Sequence, residues 1–269
     1  MEMYFCPLYS GSSGNALFCQ YGDTRILIDA GKSGSMIRDA LESIGVKPET
    51  LSGILITHEH SDHISGAGVI ARKYHLPIYA TQDTWLAMSG KLGKISGDQV
   101  RTVQSGKGFW LGEIGVEPFS IPHDAADPVG YRLWGGKVSV STATDLGRFT
   151  EEVYRRIEGS DLVLLESNHD PDLLRANPHY SPALKARILG NLGHLSNEAC
   201  AGALLRLIAG GTKHVVLGHL SGENNTPALA RRVSEETMQR EGIRAGEDVE
   251  LKVALREEVS EIYMLKETE

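Results

Sequence analysis

The stretch Ile54–His63, ILITHEHSDH, constrains this chain more than any other. Four β-prone residues, Ile54 to Thr57, predict a short buried strand, and the residues after His63 predict a helix. His58, His60, Asp62 and His63 crowd the point between them, where a strand gives way to a loop. Alternating β/α proteins place their chemistry at such exits. Imidazole and carboxylate are the side chains that bind zinc, iron and manganese. Two apart on an extended chain, His58 and His60 point to one side. Asp62 and His63 follow after a turn and can face a second ion. The stretch therefore asks for an α/β fold with a metal at a strand exit.

Composition sets the bounds around that expectation. A chain of 269 residues with 41% hydrophobic and 23% charged residues is an ordinary globular protein. It is long enough to bury a core without staples. Cys6, Cys19 and Cys200 are widely spaced and form no C-x-x-C pair, which points to a reducing compartment and no disulfide framework. No apolar run could span a bilayer and the N-terminus carries no signal-peptide pattern, so the expected location is the cytoplasm. A net charge of −8 argues against a protein that coats nucleic acid, but not against an enzyme with a local basic rim.

In chain order, strands are expected over Met3–Tyr9, Ala16–Gln20 and Arg25–Ala30, the last two joined by a turn at residues 21–24. The Ser10–Asn15 run, SGSSGN, is either an anion-binding nest or a plain tight turn. Asp29, at a strand end, could brace a metal-bound imidazole from behind. Helices are expected over Ser35–Ile44, Ile64–His75 and Gln82–Leu92, with His75 as a C-terminal cap. Short strands follow: Val100–Gln104, Gly115–Ile121, Val129–Trp134 and Lys137–Ser141. After Asp145 the chain alternates: helix Thr150–Glu158, strand Asp161–Glu166, a broken helical region Pro171–Leu189, and a helix capped by Ser196 or Asn197 running to Ala209. Strand His214–Gly218, helix Pro227–Glu241 and strands Val249–Arg256 and Glu261–Lys266 close it. With no linker or repeat, residues 1–269 are expected to form one domain. Further candidate ligands fall at strand ends far along the chain: His123, Asp145 and His219.

That order of ligands resembles the metallo-β-lactamase fold, a four-layered αββα sandwich. The H-x-H-x-D-H loop is the most specific mark of the resemblance. It implies that His58, His60 and His123 hold one ion, Asp62, His63 and His219 a second, and that Asp145 bridges them, with Asp29 behind. The cofactors implied are two divalent ions, zinc or manganese, with iron also accepted. Relatives that reduce oxygen carry Glu where His60 stands, and β-CASP nucleases insert a domain where only 73 residues separate Asp145 from His219. Neither subgroup fits, and the arm with which tRNA-processing relatives clamp tRNA has no counterpart. The flanking motifs, Ser10–Asn15, His123–Tyr131, Thr144–Gly147, Glu166–Asp170, Gly193–Asn197 and His219–Asn225, resemble the YycJ/WalJ group. That group is described as 5′→3′ DNA exonucleases linked to DNA repair.

The resemblance therefore implies a metal-dependent phosphodiesterase, a DNA exonuclease in which a hydroxide held by both ions attacks phosphorus. Asp62 and Asp145 would serve that centre. A 3′-oxygen leaves poorly without a proton. His194 is the expected donor, oriented by Glu166, as a corresponding pair works in tRNA-processing relatives; His169 competes for the role. Ser10, Ser13, Asn15, Lys185 and Arg187 are candidate phosphate contacts, and Trp110 and Trp134 could stack bases or simply pack. DNA is favoured over RNA as the partner. The alternatives are a small-molecule hydrolase, such as a cyclic phosphodiesterase or thioesterase, and an RNA-processing nuclease.

Overall fold

Runs rich in β-prone aromatic and aliphatic residues at the start of the chain make three antiparallel strands, β1 (Glu2–Tyr9), β2 (Ala16–Tyr21) and β3 (Thr24–Ile28). From β3 the pairing turns parallel, through β4 (Gly53–Leu55), β5 (Ile78–Thr81) and β6 (Val100–Val103). The last strand of the chain, β14 (Tyr263–Lys266), pairs antiparallel with β1. The sheet order is β14-β1-β2-β3-β4-β5-β6. Parallel neighbours need long crossovers. These are α1 (Gly34–Ser43), the pair α2 (Ser61–Ile64) and α3 (Ala67–Tyr74), and α4 (Gln82–Met88). In α1 the Ser33 hydroxyl accepts from the Met36 amide, and Ile37, Ala40 and Leu41 form the buried stripe. Ile54, Leu55 and Ile56 are fully buried. Each such side chain contributes roughly 1.5–3 kcal/mol over an exposed one, which holds the root of the His-rich loop.

This computed structural model describes residues 1–267, which fall into two compact units. The first comprises Met1–Ser120, Ala125–Ser139 and the segment from Leu255. Besides the seven-stranded sheet it contains an antiparallel meander of β7 (Phe109–Leu111), β8 (Ile114–Ser120) and β9 (Val129–Gly135). The second comprises Ile121–Asp124 and Val140–Ala254. Here β10 (Val138–Ala143), β11 (Leu162–Glu166), β12 (His214–Gly218) and β13 (Glu250–Val253) pair in parallel. Its helices are α5 (Glu151–Ile157), α6 (Pro171–Ala176), α7 (Pro182–Ile188), α8 (Asn197–Ala209) and α9 (Pro227–Arg240). Each unit is built from separate stretches of chain, so no single linker in the sequence marks a boundary.

Several element bounds differ from the sequence expectation. The helix after the His-rich loop begins earlier, at Ser61, so Asp62 and His63 project from a helical turn. It is interrupted before α3 because Gly66 donates its amide to the Ala30 carbonyl. A side chain at Gly66 would meet the Lys32 carbonyl at 2.2 Å. His75 does cap α3, in the left-handed conformation with φ 54°. β7 escapes sequence detection because it has only three residues, set between Gly108 and Gly112. Among the described residues no helix is long and apolar enough to cross a membrane. The three cysteines are free and buried, and burial pushes the Cys6 and Cys19 thiols up to about 12 and Cys200 upward as well.

Candidate metal centre

In the first unit, the chain leaving β4 is pinned before it reaches the histidines. The Tyr131 hydroxyl donates to the Ile56 carbonyl at 2.8 Å. The Asp29 carboxylate then accepts from both the amide and the hydroxyl of Thr57, at 2.8 and 2.9 Å. Asp29 also accepts from His63 Nδ1 at 2.8 Å. Thr57 has spent its only proton on Asp29, so its oxygen can only accept from His58 Nδ1, 3.0 Å away. One carboxylate thus sets two tautomers, leaving a lone pair on Nε2 of both His58 and His63.

Those lone pairs face other donor atoms. His58 Nε2 lies 3.1 Å from His60 Nδ1. Two nitrogens bound to one tetrahedral zinc stand about 3.3 Å apart. His63 Nε2 lies 3.5 Å from Asp62 Oδ2 and 3.1 Å from the Asn15 amide nitrogen. A ring lone pair beside a carboxylate oxygen is a juxtaposition that a cation relieves. The donor set of this loop fits divalent metal.

In the second unit, Asp145, Glu166 and His219 come off the C-terminal ends of three adjacent parallel strands, β10, β11 and β12. Asp145 and His219 hold φ values of 58° and 53°, uncommon for residues with a side chain. Asp29, at the β3 exit, does the same with φ 59°. Strain of this kind concentrates at functional sites. One ligand-capable atom from each of Asp145, Glu166, His194 and His219 lies within 4.8 Å of the others. His219 Nδ1 is 3.2 Å from Asp145 Oδ2. His123 Nδ1 donates to the Gly193 carbonyl at 3.1 Å, which leaves its Nε2 lone pair 3.8 Å from Asp145 Oδ1. His123, Asp145 and His219 thus also present atoms that fit a cation.

His194 is held differently. Its Nδ1 donates to Glu166 Oε1 at 2.8 Å, while Glu166 Oε2 accepts from the amides of Leu146 and Leu195 at 2.8 and 3.2 Å. Glu166 is fully buried, yet the His194 side chain keeps 20% of its surface exposed. Nε2 is then the atom that can exchange a proton with a bound molecule. His169 is only 1% exposed, and burial pushes it down to about 4. It is neutral near pH 7, so it has no proton to donate as an imidazolium.

A β-lactamase superfamily domain matches residues 24–220. The chain belongs to that superfamily. Within it, the chain is 45% identical to exodeoxyribonuclease WalJ of Streptococcus pneumoniae serotype 2 strain D39, over 83% of each chain. It is 39% identical to exodeoxyribonuclease YycJ of Bacillus anthracis, over 93% of this chain and 95% of that one. The structure also matches YhfI of Bacillus subtilis, a metallo-β-lactamase fold protein, with TM-score 0.72 at 15% identity, covering 98% of this chain and all of the other. The fold is therefore the metallo-β-lactamase fold, two mixed sheets flanked by helices, and a divalent-metal cluster of His and Asp belongs to it.

Other residues of this superfamily chain serve the site from outside it. Asn168 donates to the His219 carbonyl at 2.9 Å. Ser167, Asn197 and Asn225 form a buried network that ties the β11 exit, the start of α8 and the segment after β12 together. The candidate phosphate contacts all have protein partners. Ser10 is buried, its amide bonded to the Leu255 carbonyl at 3.1 Å. Asn15 is buried and bonds to Gly11 and to the Asp62 carbonyl, so SGSSGN is a turn that clasps the metal loop. Ser13 is exposed but bonds Glu257 and Lys32, which pair at 2.7 Å; a carboxylate there repels phosphate. Lys185 donates to the Arg175 carbonyl at 2.6 Å, and Arg187 pairs with Asp124.

Proposed function

We propose that this chain is a metal-dependent exodeoxyribonuclease that degrades DNA from the 5′ end and holds two ions. The names of its WalJ and YycJ relatives support the substrate. One observation carries the chemistry: the Glu166–His194 pair, an oriented and partly exposed imidazole beside metal-binding groups. A phosphodiester needs such a proton donor for its alkoxide leaving group, and a thioester does not.

Following the family pattern, His58, His60 and His123 would hold one ion, Asp62, His63 and His219 the other, and Asp145 both. Zinc or manganese suits these ligands, and iron is accepted. Such ions lower the pKa of water and offset the charge that builds on phosphorus. Asp29 keeps the Nε2 atoms of His58 and His63 unprotonated for that purpose. Glu166 keeps the His194 Nδ1 proton in place, so Nε2 hands its own proton to the departing 3′-oxygen. Deprotonated His194 is then recharged by solvent, which its exposed edge reaches. The buried, unreactive cysteines agree with a cytoplasmic location.

The test is metal-reconstituted protein incubated with 5′- and 3′-labelled DNA and RNA, with products resolved by size. Mononucleotides released first from the 5′ label of DNA are expected. Release from RNA alone, or none from either polymer with a cyclic nucleotide hydrolysed instead, would overturn the reading.

A further inference from the structure

The edge strands β6 and β7 of the first unit bound a groove of about 480 Å³. Tyr79, Arg101, Gln104, Lys107 and Phe109 are among its lining residues, which include two cations and no carboxylate. In a chain with net charge −8, that local balance selects for an anion. The floor is aromatic: the rings of Tyr79 and Phe109 stack at 5.3 Å and 10°. Tyr79 lies close over Gly53, where a Cβ would meet its ring at 2.9 Å. Both aromatic residues remain partly accessible, and Arg101 and Lys107 are exposed. Trp110 projects from the opposite side of β7, where its ring packs edge-on to Trp134, and takes no part.

Position adds a second argument. β4, β5 and β6 are parallel neighbours, so Gln104 leaves the sheet at the same edge from which the His58 loop leaves β4. Two strand spacings separate them, about 10 Å. A ligand that joined both places would be anionic along its length and carry flat rings at intervals. Single-stranded nucleic acid has that form, and basic grooves with stacking rings are how it is held.

We propose that the Tyr79/Phe109 groove binds single-stranded DNA a few nucleotides from the bond being cut. Phe109 stacks a base, while Arg101 and Lys107 contact the adjoining phosphates. This assignment rests on the nuclease reading and extends it to a strand-tracking subsite.

The experiment uses the full chain. Binding of fluorescein-labelled oligothymidylate is followed by anisotropy in chelator across a salt series, and turnover is followed separately with metal. Phe109→Leu, which keeps apolar bulk, should weaken binding about tenfold. Arg101→Gln with Lys107→Gln should flatten the slope of log Kd against log salt by about 1.4, at roughly 0.7 per phosphate contact. Hydrolysis of bis(p-nitrophenyl) phosphate should be unchanged in both variants. If the wild type degrades DNA and the variants match its affinity and salt slope, the groove assignment fails while the nuclease reading stands. If the wild type cleaves the chromogenic ester but neither binds nor degrades DNA, both fail. A dimer in sedimentation that the variants abolish, with DNA binding intact, would assign the open β6 edge to a second copy and also overturn the proposal.

Discussion

Two buried carboxylates in this chain hold an imidazole by the same bond, Asp29 to His63 and Glu166 to His194, each 2.8 Å from Nδ1. Their surroundings separate them. The His63 side chain is wholly buried, while His194 keeps 20% of its surface. Asp29 spends its remaining capacity on Thr57, and through that hydroxyl it also sets His58. Glu166 spends its second oxygen on two backbone amides, which anchors the loop carrying His194 to the exit of β10. On the proposed function, one device would serve a metal ligand where the ring is sealed and a proton carrier where its far edge reaches solvent. What differs between the two pairs is the exposure of the ring, not the bond to the carboxylate.

The largest effect that would sharpen this contrast is His194→Ala. Turnover on DNA should fall by about 10²–10⁴, with metal content by elemental analysis unchanged. Bis(p-nitrophenyl) phosphate, whose phenolate leaves without a proton, should lose little. Loss of metal would erase the distinction between the two histidines. Next come the paired isosteric changes, each worth roughly 10- to 100-fold. Asp29→Asn tolerates the left-handed backbone at φ 59° and should weaken metal affinity, read by competition with a chromophoric chelator. Glu166→Gln should lower kcat on DNA at saturating metal and leave that affinity alone. Equal effects of both variants on both readouts would break the comparison.

A third imidazole shows what happens without a carboxylate. Among the described residues the His169 ring bonds the Asn168 side-chain oxygen at 3.3 Å, and burial pushes it down to about 4. Its folded value lies below the ordinary 6.5, so the unfolded chain takes up the proton first as pH falls. Its stabilisation is complete above pH 6.5 and is lost as pH drops toward 4, by about 3 kcal/mol. Urea midpoints of chelated wild type and His169→Gln should converge across that window. The smallest effect is a control on strain. Among the described non-glycine residues with positive φ, His75 alone lies away from both clusters. His75→Gly should stabilise by about 0.5–1 kcal/mol in urea titrations and leave DNA turnover unchanged.

The candidate metal ligands are legible because they are rare types at conspicuous places. His58 to His63 and His219 follow runs of Ile, Leu and Val, Asp145 follows the β-prone Val/Ser/Thr run of β10, and β12 begins and ends where the pattern puts it. The residues that set tautomers were not legible. Thr57 reads as one more β-former, and only the fold brings Asp29 to its hydroxyl. Tyr131 likewise reads as a strand aromatic until its hydroxyl meets the Ile56 carbonyl across 75 positions. SGSSGN was ambiguous for the opposite reason. Small polar residues suit either a nest or a turn, and the choice is made by Asp62, whose carbonyl Asn15 clasps. The Tyr79/Phe109 groove depends on β7, a strand too short to carry a periodic signal.

The three cysteines give the folded chain an unplanned experimental asset. Cys6, Cys19 and Cys200 are buried with their thiols held protonated, so an electrophilic dye finds no native target until the chain opens. A single cysteine introduced at an exposed position such as Lys107 would be labelled alone, with the native thiols left in place. The same three thiols then act as a clock: their rate of labelling in native buffer measures how often the interior around β1, β2 and α8 is laid open.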